Sequence, residues 1–322
     1  MIVRICRYYK YPDIKRQTPR QSFIWDGITF TEDEVKECDF LVILDYPKKD
    51  IHVKVNPNNI IHICLEPANE ISKYRQYANK QVSIIYNQIK NEGKFVKSHP
   101  VLPWHLDKDY DYFKHLKPEH LDKKDKIAWV TSSQRSSKQH NMRMDFLELI
   151  RDLPFMDICG RGIKEVESKW DVMKTAKYAI AYENFKNPYN WTEKISDCFL
   201  SYTVPLYFGC NRIEEYFPKE AIIQIDPSDK YIKTFLKETL NSQVYNEKIE
   251  ALVEARNLFL DKYQLFPFIV SQIRAVEAKQ GVSSINKKVE FHFKGGNAYY
   301  DNYPSFIDLQ RILRKVKRKL NR

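Results

Sequence analysis

Short apolar runs bounded by polar residues recur from the first residues of the chain: "MIVRIC", "DFLVIL" (Asp39 to Leu44), "NIIHICLEP" (Asn59 to Pro67) and "QVSIIYN" (Gln81 to Asn87). Each is rich in β-branched residues and flanked by turn formers, the pattern of a buried strand. Between the last two, "ANEISKYRQYA" has helical spacing. A second series opens with the strand "KIAWVTS" and the helical pattern "HNMRMDFLELIRDL", which puts Met142, Phe146, Leu149 and Ile150 on one apolar face. The strands "FMDICGRG" and "KYAIAYEN", a helix from Trp191 to Ser201, the strands "VPLYFG" and "AIIQID", and helical periodicity from Asn257 to Ala278 complete it. Alternating strand and helix predicts an α/β fold with parallel sheets. The charged stretch 106–126 separates the two series and reads as a linker or peripheral segment. The expected division is therefore 1–125, 126–284 and a C-terminal segment 285–322.

Composition narrows the class. At 322 residues the chain is long enough for two domains, and its 43% hydrophobic content suits a folded protein. No apolar run reaches the ~18 residues of a membrane-spanning helix. The opening apolar stretch is broken by arginines, so no secretory signal is expected there. Six cysteines are scattered without a Cys-x-x-Cys pair, which predicts buried free thiols and a reducing, cytoplasmic setting. The net charge of +11 is largely a property of the end: seven basic residues and no acidic one lie between Arg311 and Arg322, and without them the balance is +4.

The chemistry concentrates in "AYENFKNPYNWTEKISDCFLSYTVPLYFG", starting at Ala181. Asn190 followed by Glu193 predicts a helix cap, with Ile195, Cys198, Phe199 and Tyr202 on the buried face beyond it. Glu193 and Lys194 then fall in the first helical turn. Unpaired N–H groups, the positive end of the helix dipole and the Lys194 charge together suit a diphosphate. Glu193 suits sugar hydroxyls instead. The same spacing equally fits a capped helix with ordinary surface charges.

The stretch "AYEN…WTEKISDCFLSYTVPLYFG…IEEYFP" resembles the donor-site motif of the Lewis-type α-1,3-fucosyltransferases: Phe-Glu-Asn, a spacer, Tyr-x-Thr-Glu-Lys, an apolar helix, then Val-Pro-x-Tyr-x-Gly. "MDICGRG" resembles that family's Val-Asp-x-Tyr-Gly-Arg turn, and "NMRMDFLELI" the helix carrying its donor-binding arginine. The resemblance implies a GT-B architecture of two Rossmann-like lobes with an interlobe cleft. It implies an N-terminal acceptor-binding lobe and a C-terminal GDP-sugar-binding lobe. The activity it implies is inverting, metal-independent transfer of L-fucose from GDP-fucose to a glycan hydroxyl, forming an α-1,3 bond, with no cofactor besides the donor. Carried over by residue, it puts Arg143 and Lys194 on the diphosphate, Glu193 on ribose or sugar hydroxyls, and Glu183 and Asn184 in the donor pocket, with Thr192 at the helix N-terminus. The family's tyrosine sits two residues before the threonine, where this chain has Asn190; Tyr189, one place earlier, is its candidate counterpart. "IHICLEPANE" resembles the Leu-Glu-Ser-Pro segment that carries the family's general base, without the serine. That makes Glu66 the candidate base, with Glu70 its nearest rival. An inverting transfer needs one carboxylate to deprotonate the acceptor hydroxyl, and the end of a buried parallel strand is a suitable place for it.

Other signals are weaker. Asp109-Tyr110-Asp111 has the form of a metal-binding Asp-x-Asp but lies in a charged stretch with no preceding strand. The histidines show no ligand spacing for zinc; His105 in "LPWH" suits either an acceptor cleft or a structural role. "RICRYYKYPDIKR" mixes aromatics and cations as single-strand nucleic-acid binders do, and as sugar-binding loops do. In "SFIDLQRILRKVKRKLNR", Phe306, Leu309, Leu313, Val316 and Leu320 recur at helical steps among basic residues, an amphipathic tail suited to an anionic membrane surface. The expected protein is a bacterial fucosyltransferase, cytoplasmic and peripheral at the inner face of the membrane, that builds a surface glycan such as lipopolysaccharide or capsule. Its expected partners are a GDP-sugar, a glycan acceptor and the membrane, not nucleic acid. Two alternatives remain open: a same-fold transferase using another nucleotide sugar, and a non-catalytic nucleic-acid- or membrane-binding protein.

Overall fold

The computed structural model describes residues 1–67, 72–242, 244–280, 287–301 and 303–304. Glu70 and the amphipathic tail lie outside the described residues.

The chain forms two compact units. The first comprises Met1–Tyr11, Trp25–Pro100 and the chain from Val270 onward. Its strands are β1 (Ile2–Arg7), β2 (Ile24–Trp25), β3 (Ile28–Thr31), β4 (Phe40–Leu44), β5 (Ile51–Val55), β6 (Ile60–Ile63), β7 (Ile84–Asn87), β8 (Phe95–Lys97) and β14 (Val289–Phe293). A seven-stranded sheet runs β2-β3-β1-β4-β6-β7-β8, parallel from β3 to β8. All five residues of β4 and all four of β6 are buried. That is why these runs are continuously apolar: a central parallel strand is covered on both faces. By contrast, β5 alternates buried Ile51, Val53 and Val55 with exposed His52 and Lys54, as fits its separate antiparallel pairing with β14. The stretch with helical spacing forms a 3-10 turn over Ser72–Tyr77.

The second unit comprises Pro12–Ile24 and Val101–Ile269. Its sheet, β10-β9-β11-β12-β13, is parallel throughout and built from β9 (Lys124–Val130), β10 (Met156–Cys159), β11 (Ala176–Tyr182), β12 (Val204–Phe208) and β13 (Ile223–Gln224). The helices of this unit are α1 (Tyr110–His115), α2 (Lys138–Ile150), α3 (Lys169–Met173), α4 (Glu193–Leu200), α5 (Ile232–Asn241), α6 (Val244–Glu247) and α7 (Ile249–Leu258). A π-helical turn follows at Phe259–Tyr263, and α8 (Leu265–Gln280) then carries the chain back into the first unit. The alternation of strand and helix in the second unit is the expected α/β pattern, whereas the described links between strands β1 to β8 of the first unit are loops and 3-10 turns.

Three expectations change. The units do not divide at 125 and 284: the second takes the chain from Val101 to Ile269, and also Pro12–Ile24, where Gln17 donates to the Trp104 carbonyl at 3.3 Å and the Phe23 and Phe266 rings meet edge to face at 5.7 Å. The stretch 106–126 is not a linker. Leu106, Phe113 and Leu116 are buried in the core of the second unit, and Asp109 caps α1 by accepting from the Tyr112 N–H at 2.8 Å. Its Asp-x-Asp therefore serves local structure. Finally, the buried side of α2 is Arg143, Met144, Phe146, Leu147 and Ile150, whereas Met142 and Leu149 are 50% and 42% exposed. At about 100° per residue those two sit on the flank of the stripe, and the rotation turns Arg143 inward.

Candidate active site

Glu183 follows the buried strand β11, and its N–H extends the ladder by donating to the Phe208 carbonyl at the end of β12, at 2.8 Å. This places its side chain, only 2% exposed, beneath the start of α4. Thr192 is the cap of α4, its hydroxyl accepting from the Lys194 N–H at 3.4 Å. Asn190, expected as the cap, instead donates from its side chain to the Phe185 carbonyl at 3.1 Å and closes the preceding turn. Thr192 fits the cap position because its N–H and hydroxyl both reach Glu183 Oε1, at 2.8 and 2.7 Å, while the same hydroxyl oxygen faces the helix.

The Lys194 ammonium completes the cluster, 3.2 Å from Glu183 Oε2, 3.0 Å from the Thr192 hydroxyl and 3.7 Å from Glu193. Burial pushes the Glu183 carboxyl up, against Lys194 and Thr192. Burial opposes the Lys194 charge, but Glu183 and then Glu193 outweigh it and raise its pKa. Glu193 is the most acidic of the group: burial raises it, but Lys194 foremost, with His105 and Lys169, brings it down to about 2. Glu193 and Lys194 are thus held toward their charged forms, while burial works against the charge on Glu183 in the same cluster.

Arg143 enters from α2. Its guanidinium donates to Asn184 Oδ1 at 3.1 Å and to the carbonyls of Ser132 and Gln134 at 2.9 and 3.2 Å, while its Nε is buried without a hydrogen-bond partner. Burial lowers its pKa, and its charge acts against that of Lys194. Two neighbouring cations beside a helix N-terminus make a place for an anion.

Glycines let the backbone close around these groups. A Cβ on Gly209, the residue after β12, would lie 2.5 Å from Glu183 Cγ, so any larger residue there must displace the Glu183 side chain. At Gly160, with φ +124°, a Cβ would meet the Thr131 carbonyl oxygen at 1.8 Å, which lets the Gly-Arg-Gly turn press on the loop after β9.

Arg143, Glu183, Asn184, Thr192, Glu193 and Lys194 thus come together. Tyr189 does not join them: its hydroxyl accepts from Arg212 at 2.6 Å, and the guanidinium lies 5.1 Å from its ring centroid. Glu66 belongs to the first unit, half-buried just beyond β6, with its carboxylate 3.4 Å from the Tyr8 hydroxyl. Asp197 is a residue that sequence reasoning missed. Fully buried on α4, it accepts from Lys169 Nζ at 2.7 Å and from the His105 N–H at 3.1 Å, and His105 in turn lies 3.8 Å from Glu193. An aspartate one position before the apolar pair Cys198-Phe199 was the available signal. Among the described residues no group of three or more His, Cys, Asp or Glu is arranged to hold a metal.

Residues 120–247, which hold this whole cluster, match the model of the glycosyltransferase family 10 (fucosyltransferase) C-terminal domain. A comparison with curated proteins found no match. Among solved structures, the chain is similar to an α1,3-fucosyltransferase crystallised with GDP-fucose, at 14% identity and a TM-score of 0.51, over 94% of this chain and 92% of that one. It is likewise similar to an α1,3-fucosyltransferase with GDP, at 13% identity, a TM-score of 0.50 and the same coverage. A third such structure gives 12% identity and a TM-score of 0.51 over 89% and 92% of the two chains. These likenesses give the fold, a two-unit α/β architecture of GT-B type. The second unit thus carries a stretch that matches the C-terminal domain of glycosyltransferase family 10, within a fold like that of the α1,3-fucosyltransferase structures.

Proposed function

We propose that the chain transfers L-fucose from GDP-fucose to a glycan hydroxyl with inversion and without a metal ion, forming an α-1,3 bond. The observation that carries this reading is the pairing of Arg143 with Lys194 at the capped start of α4, over the buried Glu183. In the proposed reaction the acceptor oxygen bonds the anomeric carbon of fucose as its proton passes to Glu66. The bond from that carbon to GDP breaks on the opposite side, and the electron pair leaves with the diphosphate. Arg143, Lys194 and the first N–H groups of α4 offset the charge that develops there. Glu193 and Asn184 have the chemistry to hold hydroxyls of the donor. GDP-fucose as donor and the α-1,3 linkage are supported by the names of the similar solved structures.

We further propose that the acceptor is a bacterial surface glycan such as lipopolysaccharide or capsule. The enzyme would meet it at the inner face of the cytoplasmic membrane, held there by the basic tail of residues 305–322. The test is incubation of purified enzyme with GDP-fucose and a panel of oligosaccharide acceptors in the presence of a chelator, followed by NMR of the product. An inverted anomeric centre attached at O3 is expected. Retained configuration, attachment elsewhere, or dependence on added metal contradicts the proposal.

A further inference from the structure

Three adjacent parallel strands of the first unit, β1, β4 and β6, each deliver a chemically active side chain just past their carboxyl ends: Tyr8, Asp45 and Glu66. This edge is where parallel α/β sheets place their working residues. The three belong to a closed ring of contacts. The Asp45 carboxylate accepts from the Leu65 N–H at 2.8 Å and lies 4.0 Å from the Arg75 guanidinium. Arg75 sits 5.1 Å over the Tyr46 ring, Tyr46 stacks on Tyr8 at 4.4 Å and 9°, and the Tyr8 hydroxyl reaches Glu66 Oε1 at 3.4 Å. The Glu66 carbonyl is fixed separately, accepting from Gln76 at 2.8 Å.

Asp45 is an unusual residue to find there. It is fully buried, and its backbone lies in the left-handed region at φ +59°, where glycine or asparagine would be easier. Its Oδ2 has no hydrogen-bond partner. Burial above all, and then the Glu66 charge, push its carboxyl well above the usual carboxylate range, against Arg75 and the backbone amides of Leu65 and Glu66. Cys64, Tyr8, Tyr9 and Tyr300 also feel its charge. A fold that needed only a turn here would have no use for a buried carboxylate next to another carboxylate.

We propose that Asp45 and Tyr8 are positioning residues for Glu66: Asp45 clamps the Leu65-Glu66 backbone at the end of β6, and the Tyr8 hydroxyl holds the Glu66 carboxylate. The proposal rests on reading Glu66 as the base. Together they confine Glu66 to one direction, which matters because small misplacements of a reacting group cost large factors in rate.

The test uses the full chain and steady-state transfer from GDP-fucose, with folding checked by thermal melting. Glu66→Gln first establishes the base, with kcat falling by about 10²-fold or more. Asp45→Ala is expected to lower kcat by about 10–100-fold with the GDP-fucose KM within twofold of wild type. Asp45→Asn, which keeps one acceptor oxygen, recovers most of that loss. Tyr8→Phe keeps the stack on Tyr46, so it tests the proposal even if Asp45→Ala does not fold; its kcat is expected to fall several-fold at unchanged KM. Folded Asp45→Ala and Tyr8→Phe proteins with wild-type kcat, beside an inactive Glu66→Gln, overturn the positioning role and leave the base intact. An active Glu66→Gln overturns both.

Discussion

The Lys194 ammonium lies 3.2 Å from Glu183 Oε2, and Glu183 is almost completely buried. The lysine proposed to meet the diphosphate therefore also neutralises a carboxylate that the fold has taken out of water. Removing it has two separable effects. Lys194→Ala leaves Glu183 buried and unpaired, which costs about 3 kcal/mol of stability in a denaturant melt. The double variant Glu183→Gln/Lys194→Met removes both charges and is expected to regain most of that stability. It should still fail to bind GDP, because the cation is gone.

Gly209 is the tightest point of the cluster, since a Cβ there would lie 2.5 Å from Glu183 Cγ and 2.7 Å from the Tyr207 hydroxyl. That hydroxyl accepts from the Cys210 N–H at 2.9 Å and shapes the loop after β12. Gly209→Ala must displace Glu183 and with it the start of α4. The expected outcome is about 1–3 kcal/mol of destabilisation and at least tenfold weaker donor binding, read by melting and calorimetry.

Glu193 gives a pH signature. Its carboxyl falls from an ordinary 4.5 to about 2 in the folded protein, because Lys194, His105 and Lys169 outweigh burial. The unfolded chain therefore binds this proton first, so the contribution of Glu193 is complete above about pH 4.5 and lost as the pH falls toward 2. Melting temperatures measured across that window should fall more steeply for wild type than for Glu193→Gln. Parallel curves would show that the carboxylate is not held in this network.

The basic tail makes a separate prediction. Deleting residues 305–322 should abolish sedimentation with vesicles rich in anionic lipid, while transfer to a soluble acceptor stays within about twofold of wild type. Equal sedimentation of both proteins would remove the proposed membrane anchor.

Much of the site was legible in the sequence because it lies on regular elements. The apolar run before Glu183 reads as a covered strand and the spacing from Ile195 as a helix, although α4 is buried at every position from Ile195 to Leu200, and Tyr202 lies beyond its end at φ +50°. What escaped was set by contacts distant in sequence. Thr192 rather than Asn190 caps α4 because Glu183, nine residues earlier, claims its N–H and hydroxyl. Met142 and Leu149 read as part of the apolar face by their helical spacing, yet the packing of α2 turns Arg143 and Met144 inward. The stretch 106–126 hid its buried Phe113 and Leu116 among charges. β5 and β14 escaped because alternating and short patterns say little until the partner strand is known.

The most direct test of the central claim, that the Arg143–Lys194 cluster holds a guanosine diphosphate sugar, is calorimetric titration of wild type and Arg143→Gln with GDP-fucose, GDP and UDP-galactose. The account predicts that wild type binds GDP and GDP-fucose but not UDP-galactose. Arg143→Gln, melting as a folded protein, should bind both guanine ligands at least tenfold more weakly. Wild-type affinity in Arg143→Gln, or binding of UDP-galactose alone, would contradict it.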